Sequence, residues 1–293
     1  MSEAAALPMA PTTSRARSLK RAITRNKIAA LAGVILFVLF TLALLAPVLG
    51  LPDPVKMAPA DRLQAPGTNG LMGTDMFGRD IFSRILFGTR ISLMVGVLAV
   101  LCAAFAGTLI GLVAGYLGKW QEYWTMRLMD VLFSFPSIVL AILIVSIIGA
   151  GFTSIILAIA LVQTPIFARL VRGSTLAVKN IEYVSAAEAG GASTWRILRR
   201  HVLPNVAAPI LVQLALSMSG AITMEAALSY LGLGAVPPTP SLGSMLSENR
   251  SSMERAPWTV LYPGIALAVI VLCINMFGDA VRDYMDPRIR KSG

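Results

Sequence analysis

Charged residues are scarce in this sequence, at 14% of 293 positions, and histidine occurs once, as His201. So little charge excludes an ordinary soluble domain, in which about a quarter of residues are charged. With one histidine, and no histidine–cysteine–carboxylate cluster at ligand spacing, nothing frames a metal centre. The cysteines Cys102 and Cys273 each sit inside an apolar run, where a thiol serves as a small packing residue, so no disulfide is expected. A phosphate-binding loop is also missing. Ahead of Gly118-Lys119 the required glycine is Val113, and Trp120 follows where serine or threonine belongs. No nucleophile–base pair is visible, so an embedded enzyme has no support and no cofactor is expected on this chain. The formal charge of +10 suggests nucleic acid, but most bases flank apolar stretches instead of lining one patch, which argues against it.

Apolar sequence is present in excess, at 56%. About 20 uncharged residues in a helix cross the hydrocarbon of a bilayer. Ile28 to Leu49 and Ile91 to Leu117 each suffice. Val131 to Ala168 carries no charge, yet as one helix it would run ~57 Å, so the Gly149-Ala150-Gly151 break splits it in two. Val206 to about Leu231 and Trp258 to Gly278 bring the expected spans to six, an all-α integral membrane bundle. The first is too long for a signal-peptide core and reads as a retained anchor.

Arg15, Arg17, Lys20, Arg21, Arg25 and Lys27 precede the first span against a lone Glu3, which places the N-terminus inside the cell. Six crossings return the C-terminus inside, with Arg282, Arg288, Arg290 and Lys291. The division expected is a basic inner segment (1–27), an anchor helix (28–49), an outer segment (50–90), a five-helix core (91–280) holding an inner loop at 173–205, and an inner tail (281–293).

Within that frame, Gly107, Gly111 and Gly115 recur every fourth residue, which lets another helix approach closely, although lipid-facing helices also tolerate glycine. Prolines at 47, 136, 165 and 263 suggest kinks. Acids in or beside spans often mark ion paths, and the candidates are Asp130, Glu225 and Asp279. Asp130 and Asp279 fall at span ends, where solvation is easy. Glu225 lies inside the fifth apolar stretch and should face the bundle interior, paired there with an arginine, as a pathway, gating or structural acid. A transporter driven by an ion gradient through Glu225 is the rival reading. In the outer segment, Asp75–Arg79 and Asp80–Arg84 are each four apart with the acid first, the spacing of helical ion pairs. An interfacial helix is expected there, resting on the membrane surface or meeting another protein.

The inner loop is the most informative segment. Glu182-Tyr183-Val184-Ser185-Ala186-Ala187-Glu188-Ala189 favours helix, and Gly190-Gly191 is a plausible stop. Ser193 or Thr194 can cap a second short helix that Pro204 should end. The product is a helix–turn–helix whose elbow shows only small residues, with Arg196, Arg199 and Arg200 beside it. Such an elbow suits a docking partner, while a basic loop resting on anionic lipid is the plainer alternative.

Ser185-Ala186-Ala187, then Gly191, then Leu203-Pro204 resemble the EAA loop of ABC importer permeases, with Ser185 in place of its glutamate and His201 where isoleucine is usual. The resemblance runs along nearly the whole chain. Gly73-Thr74-Asp75, Gly78-Arg79-Asp80 and Ser83-Arg84 are similar to the outer segment of the dipeptide, oligopeptide and nickel "C"-type subunits. So are Arg127-Leu128-Met129-Asp130 with Phe135-Pro136, the run Glu225-Ala226-Ala227-Leu228-Ser229-Tyr230-Leu231-Gly232-Leu233-Gly234, and Gly278-Asp279 with Asp286-Pro287-Arg288.

The resemblance implies a type I importer in a bacterial inner membrane. Two homologous permease subunits form its path, two ATPase subunits bind ATP and magnesium, and an external solute-binding protein delivers a peptide-like solute. Ser185, Ala186, Ala187, Glu188, Gly191, Ala192, Ser193, Arg196, Leu203 and Pro204 would then form the coupling loop seated on an ATPase. Nickel chelates, glutathione and other small solutes use similar permeases and are the alternative cargo.

Overall fold

The computed structural model describes residues 27–285 apart from Asn69. The basic residues expected to orient the N-terminus, Arg15 to Arg25, lie outside the described residues, as do Asp286-Pro287-Arg288, Arg290 and Lys291 of the tail. The helices are α1 (Lys27–Leu45), α2 (Ile81–Leu117), α3 (Lys119–Ser134), α4 (Ser137–Ile148), α5 (Phe152–Lys179), α6 (Glu182–Ala189), α7 (Thr194–Ile197), α8 (Leu203–Tyr230), α9 (Leu242–Glu248) and α10 (Trp258–Met285). Among the described residues the only β pairing is an isolated bridge between Thr74 and Asp80.

Five helical runs are long and apolar enough to cross a bilayer: Lys27–Val48, Ile81–Leu117, Phe152–Lys179, Thr194–Tyr230 and Trp258–Met285. The expected span that begins at Val131 falls in a bent pair, with α3 and α4 meeting at 96°, and the count is six when that pair is taken as one broken span. Phe135 is extended (φ −86°, ψ 140°) because the residue before a proline is pushed out of the helical region, and Pro136 has no N–H to continue the ladder.

Two expectations are corrected. No separate interfacial helix forms over 75–86: Gly78 has φ +76° and Asp80 is the N-cap, so helix starts at Ile81 and runs straight into the span. Nor does Pro204 end the short helix after the elbow. A π-helical turn at Leu198–Val202 widens the winding, and Pro204 falls in the first turn of α8, where a missing N–H costs nothing. Pro165, Pro209 and Pro263 all lie inside helices.

The core is built on the pairing of α2 with α5. A Cβ on Gly107 would lie 2.5 Å from Phe167 Cβ, one on Gly111 2.6 Å from the Ala168 carbonyl, and one on Gly115 2.8 Å from Thr175 Cβ. The glycines are therefore where two backbones meet, and the close-approach reading of their spacing holds. Around this seam Val95, Ala99, Ile155, Ile159, Phe167 and Leu228 fill the middle of the bundle. Leu112, Val171, Ile197 and Val206 fill the end where the elbow sits, and Ile81, Ile85, Leu242 and Ile270 the opposite end. Val34, Phe37, Phe40 and Leu44 of α1 are exposed, as lipid-facing residues should be.

The seam yields a paired prediction. Gly111→Ala should destabilise the detergent-purified protein by about 1–3 kcal/mol, the usual cost of overpacking. Gly173→Ala, also helical but with nothing within 4 Å of its added methyl, should be neutral or stabilising. Thermal unfolding of both variants checks this, and equal loss in the two would contradict it.

Candidate functional site

At one end of α2 the elbow is formed as a helix stop. Gly191 takes φ +78°, Ala192 N–H donates to the Ala187 carbonyl at 3.0 Å, and Gly191 N–H donates to Glu188 at 3.0 Å. This pair of bonds with a left-handed glycine is a Schellman ending, and it turns the chain sharply. Ser193 stands at the N-cap of α7, though its side chain makes no capping bond. The elbow is anchored underneath by Val184, Ile197, Leu198 and Val202, buried against Leu112, Tyr116 and Val171. Lys179 Nζ also donates to the Tyr116 carbonyl at 2.6 Å, tying the ends of α5 and α2.

What remains outside is mostly small or basic, with Glu188 and the rings of Tyr183 and Trp195 also exposed. Ser185, Ala186, Glu188, Gly191, Ser193, Arg196 and Pro204 are exposed, while Ala187, Ala192 and Leu203 are half-buried. Ser193, Trp195, Arg196, Arg199 and Arg200 line a cavity of about 440 Å³ beside the turn. None of these three arginines makes an ion pair among the described residues. The elbow is thus a left-handed turn of small residues rimmed by unpaired arginines.

Asp130 is not free. It accepts from Arg169 Nη2 at 2.8 Å, and one turn further along α5 Arg172 Nε donates to Glu122 at 2.6 Å. Both pairs join α3 to α5, and they give Asp130 a structural partner. Asp279 is exposed.

Glu225 faces the bundle interior as expected, 1% exposed, but its partners are hydroxyls where an arginine was expected. Ser229 Oγ donates to Glu225 Oε1 at 2.7 Å, and Ser92 and Ser241 lie beside the same carboxyl. The acid thus stands where α2, α8 and the start of α9 meet. Gly243 permits this crossing, since a Cβ there would overlap the Ala226 carbonyl.

At the far end of α2 a second charged constellation closes over the bundle. Asp75 accepts from Arg79 Nε at 2.6 Å and from the Phe77 and Arg79 backbones. Glu248, at the end of α9, takes Arg79 Nη2 at 2.5 Å and Arg84 Nη2 at 3.0 Å. Arg84 also lies 3.6 Å from Asp75 and donates to the Pro54 carbonyl at 3.1 Å. Asp75 and Arg84 are fully buried. Two acids and two bases balance, so the cluster adds no net charge to the interior.

Of the expected helical pairs, Asp75–Arg79 is present, made by a loop instead of a helix. Asp80–Arg84 is not made. Asp80 accepts from the Ser83 N–H at 2.7 Å and caps α2, which leaves Arg84 to Glu248. Glu248 is the residue that sequence reasoning missed. It stands 164 positions from Arg84, and no local spacing signals it.

The chain is thus a helical bundle with apolar outer faces, an exposed elbow at one end and a buried charge clamp at the other. The family model described as binding-protein-dependent transport system inner membrane component matches residues 107–291. A dipeptide transport system permease protein of Alkalihalophilus pseudofirmus is 43% identical, covering 94% of this chain and 90% of its own. A glutathione transport system permease protein of Pectobacterium atrosepticum is 42% identical over 94% and 91%. A probable peptide ABC transporter permease of Sinorhizobium fredii is 44% identical over 97% and 99%. Among solved structures, an amino acid ABC transporter chain aligns with TM-score 0.52 at 18% identity, covering 68% of this chain and 92% of that one, which bears on the fold. The chain belongs to the family of binding-protein-dependent transport system inner membrane components. It is a multi-pass permease of the ABC importer class.

The clamp predicts that Glu248→Ala, which leaves Arg84 buried with a more distant partner, costs about 3 kcal/mol. Glu254→Ala, at an exposed acid nearby, should cost little. Thermal unfolding of the purified variants compares the two, and similar midpoints would remove the clamp's role.

Proposed function

We propose that the chain forms half of the translocation path of an ATP-driven importer for peptides. A second homologous permease forms the other half, two ATPase subunits carry ATP and magnesium, and an external solute-binding protein delivers the cargo. The N- and C-termini and the elbow face the cytoplasm. The observation that carries this reading is the elbow, a left-handed turn of small residues with unpaired arginines around it. Nucleotide-driven movement of an ATPase gripping that turn biases the permease between its states, as coupling requires. The leverage is direct, because the helical run from Thr194 to Tyr230 is continuous from the elbow to the Glu225 hub. Dipeptide, peptide and glutathione permeases among the relatives support a peptide-like solute.

Replacing Gly191 tests the elbow. Any side chain there is strained by roughly 1–2 kcal/mol in a left-handed conformation, but open space surrounds it, so packing is spared. Gly191→Trp in the reconstituted complex should abolish uptake while the subunits still assemble, and Gly191→Ala should be far milder. Normal uptake by an assembled Gly191→Trp complex would refute the docking role. For Glu225, its all-hydroxyl setting favours a structural or gating role over proton carriage. Glu225→Gln should retain ATP-driven uptake, and wild-type uptake should survive collapse of the proton gradient while ATP is maintained. Uptake that dies with the gradient would restore the secondary-transport reading.

A further inference from the structure

Helix α3 carries a face that its own chain leaves bare. Trp120, Tyr123, Trp124, Leu128 and Val131 recur at helical spacing, and each is half exposed or more. The opposite side turns toward α2 and α5, where Met129 is buried. The two acids of α3 are used on that inner side, Glu122 with Arg172 and Asp130 with Arg169. Lys119 and Arg127 are exposed and make no ion pair among the described residues, and Arg127 lies 5.7 Å over the Tyr123 ring. Outward, therefore, α3 presents aromatic and aliphatic side chains, and its unpaired charges are both positive.

Its direction matters as much as its composition. The 96° bend sets α3 across the line of α4, whose exposed Ile138, Val139, Leu143 and Ile147 are an ordinary lipid-facing set. Helix α3 starts directly after Gly118, at the elbow end of α2 and α5. Tryptophan and tyrosine favour the headgroup level, and lysine and arginine reach anionic phosphates from a helix lying in the surface plane. A protein partner would satisfy the rings but would also need acids opposite both bases.

We propose that α3 lies in the membrane surface at the elbow end, with Trp120, Tyr123 and Trp124 at the headgroup–acyl boundary and Lys119 and Arg127 on the phosphates of anionic lipid. Through its two ion pairs to α5 it acts as a flange that fixes how deep α5 sits. The inference takes only the leaflet, the cytoplasmic one, from the orientation proposed above, and is independent of the solute.

The test uses the assembled transporter in nanodiscs of phosphatidylcholine with or without phosphatidylglycerol. A nitroxide is attached at Leu128→Cys, the other cysteines having been replaced, and its collision with oxygen and with a water-soluble nickel chelate is read by electron paramagnetic resonance. The label should sit about 5–10 Å below the phosphates, open to oxygen and shielded from the chelate. Phosphatidylglycerol should shift it deeper, and Lys119→Gln with Arg127→Gln should abolish that shift. A label closed to both reagents would mean that a protein partner covers α3, and one open to the chelate would mean that it faces water; either overturns the proposal. A depth indifferent to phosphatidylglycerol would overturn the anionic-lipid assignment. If Leu128→Cys fails to assemble, Val131→Cys carries the label on the same face. Failure of peptide uptake would leave these readings unchanged, so the two proposals fail separately.

Discussion

Three glycines on α2 meet the backbone and Cβ atoms of α5, and most of the architecture is referred to that seam. In lipid, two apolar helices gain nothing by hiding from water, so close packing must hold them. Removing side chains along one stripe brings the two helices into direct contact. Once α2 and α5 are locked, the ends of α2 become fixed points roughly 56 Å apart, and each end organises a polar assembly.

The two assemblies solve the same problem differently. At the clamp, charges are buried and matched among themselves, so an outer segment and α9 close over the bundle without leaving an ionised group alone. At the elbow the charges are left unpaired and exposed, while the apolar undersides of α6 and α7 do the anchoring. Closed electrostatics suit a fixed part, and open electrostatics suit a part that meets a partner. Glu225 belongs to neither kind: it is buried without a matching charge, and the Ser229 hydroxyl donates to its carboxyl at the junction of α2, α8 and α9.

Much of the site was legible because its signals are local. Gly190-Gly191 stops a helix through the left-handed conformation that glycine alone adopts freely, and the small residues around it are visible as letters. The glycine stripe was equally readable, since one helix face has a fixed period. Proline was legible as a kink at Pro136 and misled at Pro204. Pro136 breaks a stretch whose composition is uniformly apolar, whereas Pro204 is absorbed by a π-helical turn that no composition announces. The helical spacing of Asp75, Arg79, Asp80 and Arg84 also misled, because Gly78 and the Asp80 cap hold the first three in a loop.

The amino-acid sequence by itself determined that the chain is a membrane bundle, where most spans lie, and that a small-residue elbow interrupts them. These follow from hydropathy, helix rise and glycine's backbone freedom, which act over a few residues. Only the tertiary structure decided which charges neutralise one another: Arg84 with Glu248, Arg169 with Asp130, Arg172 with Glu122. Coulomb attraction acts through space without regard to chain order, so residues from 39 to 164 positions apart become partners once packing has brought their helices together.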